Sequence, residues 1–285
     1  MGNKKKFSTS FNLGSSRSSG PAMKFKPPLE TGSRGGTRPL AEAASVQSVL
    51  GMMVVHVARK IMYGVDLSHK VGLYIVGVLL LSVVGDFSKA STHYLARPDN
   101  FFNVYMVKFG WGWTLLVALP PALLTGLALG EGPGAAMALA RTAAGTLVWA
   151  GFTNGFDIVR RYALPWFDTS GHCFILAWSA LFLAEESASY QGWESLQGRL
   201  SGDSPLGARM RSVAWLVRSW LPFQAALYLL WNLMFASTTL FYHTLAEKVV
   251  GTVAAVVCWV VLYRGVYLGE VWRLPRWSVE RAQRK

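Results

Sequence analysis

Two histidines lie beside polar residues that favour helix starts, in segments that are otherwise largely apolar. His172 ends a Ser-Gly-His triplet in the segment FDTSGHCFILAWSALFLAEES, and His243 stands in the segment FYHTLAEK. Asp168, Thr169 and Ser170 are all suitable N-cap residues, and free N–H groups at a helix start attract anions. Two histidines beside such starts suit phosphoryl transfer, in which one imidazole attacks phosphorus and the other protonates the departing oxygen.

Glu247 follows His243 by one helical turn, on the same helix face. Its carboxylate is a candidate to hold the imidazole in one tautomer and to stabilise its positive charge. A histidine at a membrane boundary is also often an interfacial polar residue, so spacing alone leaves catalysis and structural packing both open. The two cysteines, Cys173 and Cys258, lie in apolar segments without zinc-ligand spacing, and no metal or other cofactor is implied.

The composition predicts a membrane protein. Of the 285 residues, 52% are hydrophobic and 15% are charged, against about a quarter charged in a typical soluble domain. The formal net charge of +13 comes from Lys and Arg residues in the tails and between apolar runs. This distribution is typical of membrane topology and argues against a nucleic-acid partner.

The apolar runs predict an all-α protein with six transmembrane helices in a membrane domain of residues 69–268. Each run is near the ~20 residues that cross a bilayer core. The runs span residues 70–88, 108–129, 134–157, 170–189, 213–236 and 245–268.

Three flanking segments differ from these runs. Residues 1–45 are rich in Ser, Gly, Pro and basic residues, which predicts a disordered cytosolic tail. Residues 46–68 hold too short an apolar run for a span, so we expect an amphipathic helix on the membrane surface. Residues 269–285 form a second basic cytosolic tail.

The basic residues also predict the orientation. Twenty Lys and Arg residues lie on the side that carries both tails and six on the opposite side. The positive-inside rule therefore places both termini in the cytosol. In this topology the fourth and sixth runs both start on the far side, which brings His172 and His243 to one membrane depth.

Glu185 and Glu186 lie deeper in the fourth run. Adjacent residues point about 100° apart on a helix, so at most one of the two readily faces a given partner. The simplest interpretation is a structural ion pair with Arg218 of the fifth run. A proton relay or a contact to a substrate headgroup is the alternative.

Three segments together resemble the fat storage-inducing transmembrane proteins: NVYMVKFGWGWTLL at 103–116, FDTSGHCFILAWSALFLAEES at 167–187 and FYHTLAEKVVGTVAAVVCWVVLY at 241–263. The resemblance implies an endoplasmic-reticulum protein with six spans, cytosolic termini and a role in lipid-droplet formation. The family is distantly similar to the lipid phosphate phosphatases. The resemblance further implies cleavage of the diphosphate of fatty acyl-CoA on the luminal side, giving acyl 4′-phosphopantetheine and adenosine 3′,5′-bisphosphate.

The resemblance also implies roles for single residues. His172 corresponds to the histidine that protonates the leaving group, His243 to the phosphatase nucleophile, and Glu247 to an Asp four residues after it. The Ser-Arg pair that phosphatases carry ahead of the nucleophile is missing, since Ala236 and Ser237 occupy those positions.

The phosphate-binding element of the phosphatases is present only approximately. Its Lys-x6-Arg-Pro pattern corresponds to Lys89, Arg97 and Pro98, with one residue too many. The predicted topology puts five cations on the side of the histidines as candidates to bind phosphate, and the sequence does not choose among them. They are Lys89, Arg97, Arg160, Arg161 and Lys248.

The sequence thus predicts a membrane hydrolase of acyl-CoA that also meets membrane lipids, among them triacylglycerol and diacylglycerol. One alternative is a non-enzymatic protein that binds neutral lipid and partitions it into droplets. A second is a transporter in which Glu185 or Glu186 carries protons. Loss of droplets on mutation of the histidines favours the enzyme, and coupling to a proton gradient favours the transporter.

Overall fold

The computed structural model describes residues 45–88, 93–129, 134–188 and 205–268, and within these ranges the chain is helical without strands. Seven α-helices follow each other in the described ranges. They are α1 (Val46–Tyr63), α2 (Leu67–Ser88), α3 (Gly110–Leu129), α4 (Gly134–Ile158), α5 (Gly171–Ala188), α6 (Pro205–Phe241) and α7 (Leu245–Trp259). Wider π-helical turns extend α4 over Val159–Ala163 and α7 over Val260–Gly265, and another precedes α3 at Phe102–Val107.

Helix α5 is the centre of the bundle. Every residue from 173 to 187 is buried, and all six other helices pack against it. The core around it is strongly aromatic: the rings of Trp111 and Phe182 meet edge to face with centroids 5.0 Å apart. Because α5 is surrounded by protein, its polar residues need not face lipid, which is the arrangement expected for ionisable groups inside a membrane protein.

Four of the described helices are long and apolar enough to cross a membrane. These helices cover Leu67–Phe87, Gly110–Ala128, Gly207–Phe241 and Leu245–Gly265, and they coincide with the first, second, fifth and sixth predicted runs. Helices α4 and α5 occupy the third and fourth runs, but α4 carries Arg141 and α5 ends in two glutamates. The all-α membrane architecture is confirmed, and the count of six spans stays a prediction.

Helix α1 begins at the predicted point and ends earlier than expected. Ser45 caps it by accepting a hydrogen bond from the Ser48 amide at 3.2 Å, and the helix stops at Tyr63. Ala58 and Met62 are buried, and α1 packs along α6. The opposite face of α1 is apolar and exposed. The position of α1 at the membrane surface stays a prediction. The predicted tails lie outside the described residues, apart from Ser45.

The far end of α5 holds a buried ion-pair network. Arg141 of α4 donates two hydrogen bonds to the Glu186 carboxylate, each 3.0 Å long, and Tyr263 donates a third at 2.9 Å. The neighbouring Glu185 lies 3.3 Å from the guanidinium of Arg264. Ion pairing of both glutamates is therefore confirmed, with Arg141 and Arg264 as partners that sequence reasoning missed. The pair with Arg218 stays a prediction.

Candidate active site

His172 and His243 line one cavity of about 360 Å³ at the start of α5. The chain thus brings together two histidines that are distant in sequence, as the predicted topology requires. The walls combine charged side chains with apolar ones from α4, α5 and the π-helical turns before α3. The charged residues that line it are Lys108, Asp157, Arg160 and Asp168.

Ser170 builds the anion-attracting start of α5. Its hydroxyl accepts a hydrogen bond from the Cys173 amide at 3.2 Å, which makes Ser170 the N-cap among the three candidates. The amides of Gly171 and His172, the first two residues of the helix, have no acceptor within the helix. Both residues line the cavity, so these donors lie beside the histidines.

His243 occupies a tight turn. Only three residues separate the end of α6 at Phe241 from the start of α7 at Leu245. Within that turn His243 has a φ of 60°, a left-handed backbone conformation that few residues other than glycine adopt. Asn, Asp and His adopt it more readily than other side chains. The backbone therefore fixes the direction in which the imidazole leaves the chain.

Glu247 links the two histidine-bearing segments. Its carboxylate accepts hydrogen bonds from the Thr244 amide at 2.8 Å and from the Asp168 amide at 3.0 Å. Its backbone carbonyl accepts a further bond from the Ser170 amide at 3.2 Å. The nearest approach to His243 is 3.7 Å, from Oε2 to Nδ1, which is an ion-pair distance and too long for a hydrogen bond.

These contacts change the expected role of Glu247. The carboxylate lies at ion-pair distance from the imidazole, but its direct hydrogen bonds go to backbone amides on either side of the site. The Glu247 carboxylate also caps the start of α7. Of these two helix starts, only that of α5 therefore keeps backbone amides available to an anion. The sequence carries the signal for this capping, since Thr244 and Glu247 have the Thr-x-x-Glu spacing of a capping box.

Gly251 allows α7 to approach the start of α5. A Cβ at this position would overlap the carbonyl oxygen of Ser170, so only glycine permits the contact. The Ser170 carbonyl is the acceptor of the first α5 backbone bond, from Phe174 at 3.1 Å. The separation of the two helix starts is therefore set by their backbones.

Arg160 is the one cation among the five predicted candidates that lines the cavity within the described residues. Its guanidinium lies 3.1 Å from Asp157 and 3.6 Å from Asp168. Arg161 does not line the cavity and pairs with Asp157 at 2.6 Å. Arg160 therefore lies between two carboxylates, and a phosphate that binds it must compete with both.

Two further candidates, Lys248 and Arg97, do not line the cavity. Lys248 is buried, and its ammonium group donates to the Thr239 carbonyl at 2.8 Å inside the bundle. Arg97 is exposed in the loop before Phe102–Val107. Lys89 lies outside the described residues.

Lys108 was missed as a candidate. It lies just before α3, lines the cavity and has no ion-pair partner in the described part of the chain. The sequence held a weak signal, because Lys108 begins the second apolar run on the side of the histidines. Its side chain is thus the freest positive charge available to an anion at this site.

Tyr242 attaches the histidine turn to the loop after α2. Its phenol donates to the Leu95 carbonyl at 2.9 Å, and the Ser237 hydroxyl contacts the same oxygen at 3.4 Å. Burial raises the pKa of Tyr242, so the phenol stays protonated and remains a donor near neutral pH. Sequence reasoning had no signal for this contact, which joins residues far apart in the chain.

The model of the fat storage-inducing transmembrane protein family matches residues 91–159 and 166–263. The chain belongs to this family. Lys108, both histidines and Glu247 fall within the matched segments, whereas Arg160 falls between them. The features that distinguish the cavity are therefore carried largely by the part of the chain that the family model covers.

Several relatives within the family carry a functional name. The chain is 35% identical to the acyl-coenzyme A diphosphatase FITM2 of Drosophila melanogaster, covering 89% of this chain and 71% of that protein. It is 29% identical to the protein of the same name from Caenorhabditis elegans, over 81% and 89%. Identity to the human protein is 27%, over 65% and 77%. No solved structure matches the chain.

Proposed function

We propose that this protein is a hydrolase of the endoplasmic-reticulum membrane that cleaves the diphosphate of fatty acyl-CoA and supports lipid-droplet formation. The observation that carries the proposal is a cavity lined by two histidines, two cations and the open amides at the start of α5. The relatives named acyl-coenzyme A diphosphatases supply the substrate class.

In the proposed reaction His243 is the nucleophile. Its Nδ1 faces Glu247, which leaves Nε2 to attack one phosphorus of the diphosphate. The P–N bond forms as the bridging P–O bond breaks, and His172 gives its proton to the departing phosphate oxygen. His172 then takes a proton from water, which attacks the phosphohistidine and regenerates His243. One water is consumed, and two phosphate monoesters are released.

The cations and helix start bind the anionic substrate. Lys108 and Arg160 contribute positive charge from two sides, and the amides of Gly171 and His172 offer donors to phosphoryl oxygens. Ser170 supports this start as its N-cap, and the Asp168 amide is held by Glu247. The mechanism needs no metal, because the histidines supply both nucleophile and acid.

The first experiment follows the products. Purified protein is incubated with palmitoyl-CoA, and mass spectrometry measures palmitoyl 4′-phosphopantetheine and adenosine 3′,5′-bisphosphate. We expect both in equal amounts, and none from His172→Ala. Rapid quenching with phosphorus-labelled substrate and alkaline workup should give phosphohistidine at His243. Full droplet formation in cells by a protein without turnover would support the neutral-lipid-binding alternative.

Lys108→Gln tests the binding of phosphate. Loss of the freest cation should raise KM about tenfold, a change of roughly 1.4 kcal/mol, with a smaller effect on kcat. Lys60→Gln on α1 is the matched control and should leave KM unchanged, because Lys60 is remote in the chain and does not line the cavity. An unchanged KM for Lys108→Gln would remove Lys108 from the site.

A luminal site is part of the proposal and rests on the distribution of basic residues. Both native cysteines are buried, so single cysteines can report the topology. Tyr162, at the histidine end, is 82% exposed, and Val46 of α1 is 75% exposed. In intact microsomes an impermeant thiol reagent should label Val46→Cys and spare Tyr162→Cys until detergent is added. The reverse pattern would place the cavity on the cytosolic side.

The proposal extends to neutral lipids. Triacylglycerol and diacylglycerol surround a protein that acts at droplet formation, and the many apolar side chains on the outside of the bundle suit contact with them. Binding of these lipids is tested by co-purification from membranes supplied with labelled oleate.

A further inference from the structure

A second cavity lies on α4, beside the histidine cavity. Its volume is about 510 Å³, and apolar residues and glycines line it. We name it the α4 groove. Two rows of residues on one face of the helix define it, one of Leu147, Gly151, Gly155 and Val159 and the other of Phe152 and Phe156.

We infer that the α4 groove holds the fatty acyl chain of the substrate whose diphosphate lies between the histidines; this inference rests on the proposed function. Phe156 lines both cavities, so the groove and the histidine site adjoin at this side chain. The adjacent face of the same helix turns Thr153, Asp157 and Arg160 into the polar cavity. A substrate with one anionic and one apolar end matches this change in lining.

The two glycines create the space in the groove. No atom lies within 4 Å of a Cβ built at Gly151 or Gly155, so the floor of the groove is open. Leu147 at its far end is 73% exposed, which opens the groove to the outside of the bundle. From Leu147 to Val159 the helix rises about 18 Å, a length suited to a fatty acyl chain.

Aromatic packing makes one wall of the groove rigid. The rings of Phe152 and Phe174 stack with centroids 5.2 Å apart, and Phe156 meets Phe174 edge to face at 5.5 Å. Phe174 is buried on α5, two residues after His172. The wall that contacts the chain is therefore fixed to the helix that carries a catalytic histidine.

The groove should position the chain more than it adds affinity. Lipid tails are as apolar as the groove, so transfer from the bilayer gains little from the hydrophobic effect. Shape complementarity instead holds the chain in one direction, which orients the diphosphate toward His243. Misplacement by about 1 Å can cost about 10²-fold in rate. In this arrangement the polar pantetheine arm passes Phe156 on its way from the groove to the histidine cavity. The adenosine end of the substrate faces water.

Gly151→Leu tests the assignment by filling the groove without a clash. Gly72→Leu on α2 is the matched control, because Gly72 is likewise exposed with no atom within 4 Å of a built Cβ. Both changes replace an exposed helical glycine. We expect Gly151→Leu to lower kcat/KM about tenfold for palmitoyl-CoA and less than twofold for butanoyl-CoA. Equal losses for both substrates, or the same loss in Gly72→Leu, would overturn the inference.

A labelling experiment gives a readout that does not need turnover. Palmitoyl-CoA with a diazirine at the chain end is photolysed with the protein, and peptides are sequenced by mass spectrometry. We expect label within residues 147–156, displaced by excess palmitoyl-CoA and lost in Gly151→Leu. Label elsewhere, or label that palmitoyl-CoA does not displace, identifies a site for bulk lipid and overturns the inference. Displaceable label in a protein that hydrolyses nothing would retain the groove and refute the proposed reaction.

Discussion

The two ends of α5 contain similar residue types in opposite environments. At the Glu186 end, Arg141 and Tyr263 satisfy a carboxylate that is 2% exposed. At the His172 end, charged side chains line an open cavity, and Lys108 has no ion-pair partner among the described residues. Charges that are buried and paired hold helices together, whereas charges that face a cavity are available to a ligand. The end that opens into the cavity is therefore the better candidate for chemistry.

The largest expected effect comes from His243→Asn. Asn adopts a positive φ readily, so the variant keeps the turn between α6 and α7 while removing the nucleophile. We expect turnover of palmitoyl-CoA to fall by about 10⁴-fold or more. The unfolding temperature should stay near that of the wild type.

His93→Asn is the control for this variant. His93 lies at the same end of the bundle, but its ring stacks on Phe241 at 6.0 Å and does not line the cavity. The turnover of the His93→Asn variant should match that of the wild type. Substantial residual turnover in His243→Asn would show that the two ends of α5 do not differ as described.

The second effect concerns stability at the other end. Glu186→Ala leaves Arg141 charged and buried, so the free energy of unfolding should fall by about 3–5 kcal/mol. Unfolding in mixed micelles measures this change. Turnover per folded molecule should remain near that of the wild type, because the network is remote from the histidines.

A paired replacement sharpens this test. Arg141→Met combined with Glu186→Leu removes both charges and keeps apolar volume, so most of the lost stability should return. If the double variant is stable and yet inactive, the Glu186 end has a role in the reaction beyond packing.

The sequence predicts the helices well because apolar runs report burial or lipid contact directly. The sequence underestimates the length of α6, which begins at Pro205, whereas the predicted run begins at 213. The extra turns carry Arg209 and Arg211 beside the fully buried Met210, and the two charges lower the local hydropathy. Two buried residues, Gly207 and Met210, among charged ones leave no periodic signal long enough to read.

The site is predictable only where local patterns determine it. Ser170 and His172 stand out because an N-cap is a local feature. The sequence does not distinguish Lys108 from Lys248, since both flank apolar runs on the same side of the membrane. One reaches the cavity and the other is buried against Thr239 because of the rotation of their helices, which tertiary packing decides.

A third test concerns Glu247, which ties the histidine segments together. Glu247→Ala removes the acceptor of two backbone amides, and we expect a loss of turnover of about 10²-fold from misplacement of the imidazoles. Glu247→Gln keeps an acceptor oxygen and should lose less. Hydrogen exchange at Asp168 and Thr244 should quicken most in the Ala variant. Equal exchange in both variants would show that Glu247 contributes through its charge and not by positioning the imidazoles.

The smallest effect is expected from Tyr242→Phe. The change removes one partly exposed hydrogen bond to Leu95 and should cost about 1 kcal/mol of stability. Turnover should stay within about twofold of the wild type, because Ser237 still contacts the same carbonyl. A loss approaching that of His243→Asn would make Tyr242 part of the reaction itself.

The contact between Gly251 and Ser170 bears on how the protein responds to different membranes. Helices tilt when bilayer thickness changes, and side-chain contacts between them slide. Here two backbones touch without an intervening side chain, and Glu247 adds hydrogen bonds across the same junction. The starts of α5 and α7 should therefore tilt as one body, and the spacing of the histidines should be the same in thin and thick bilayers.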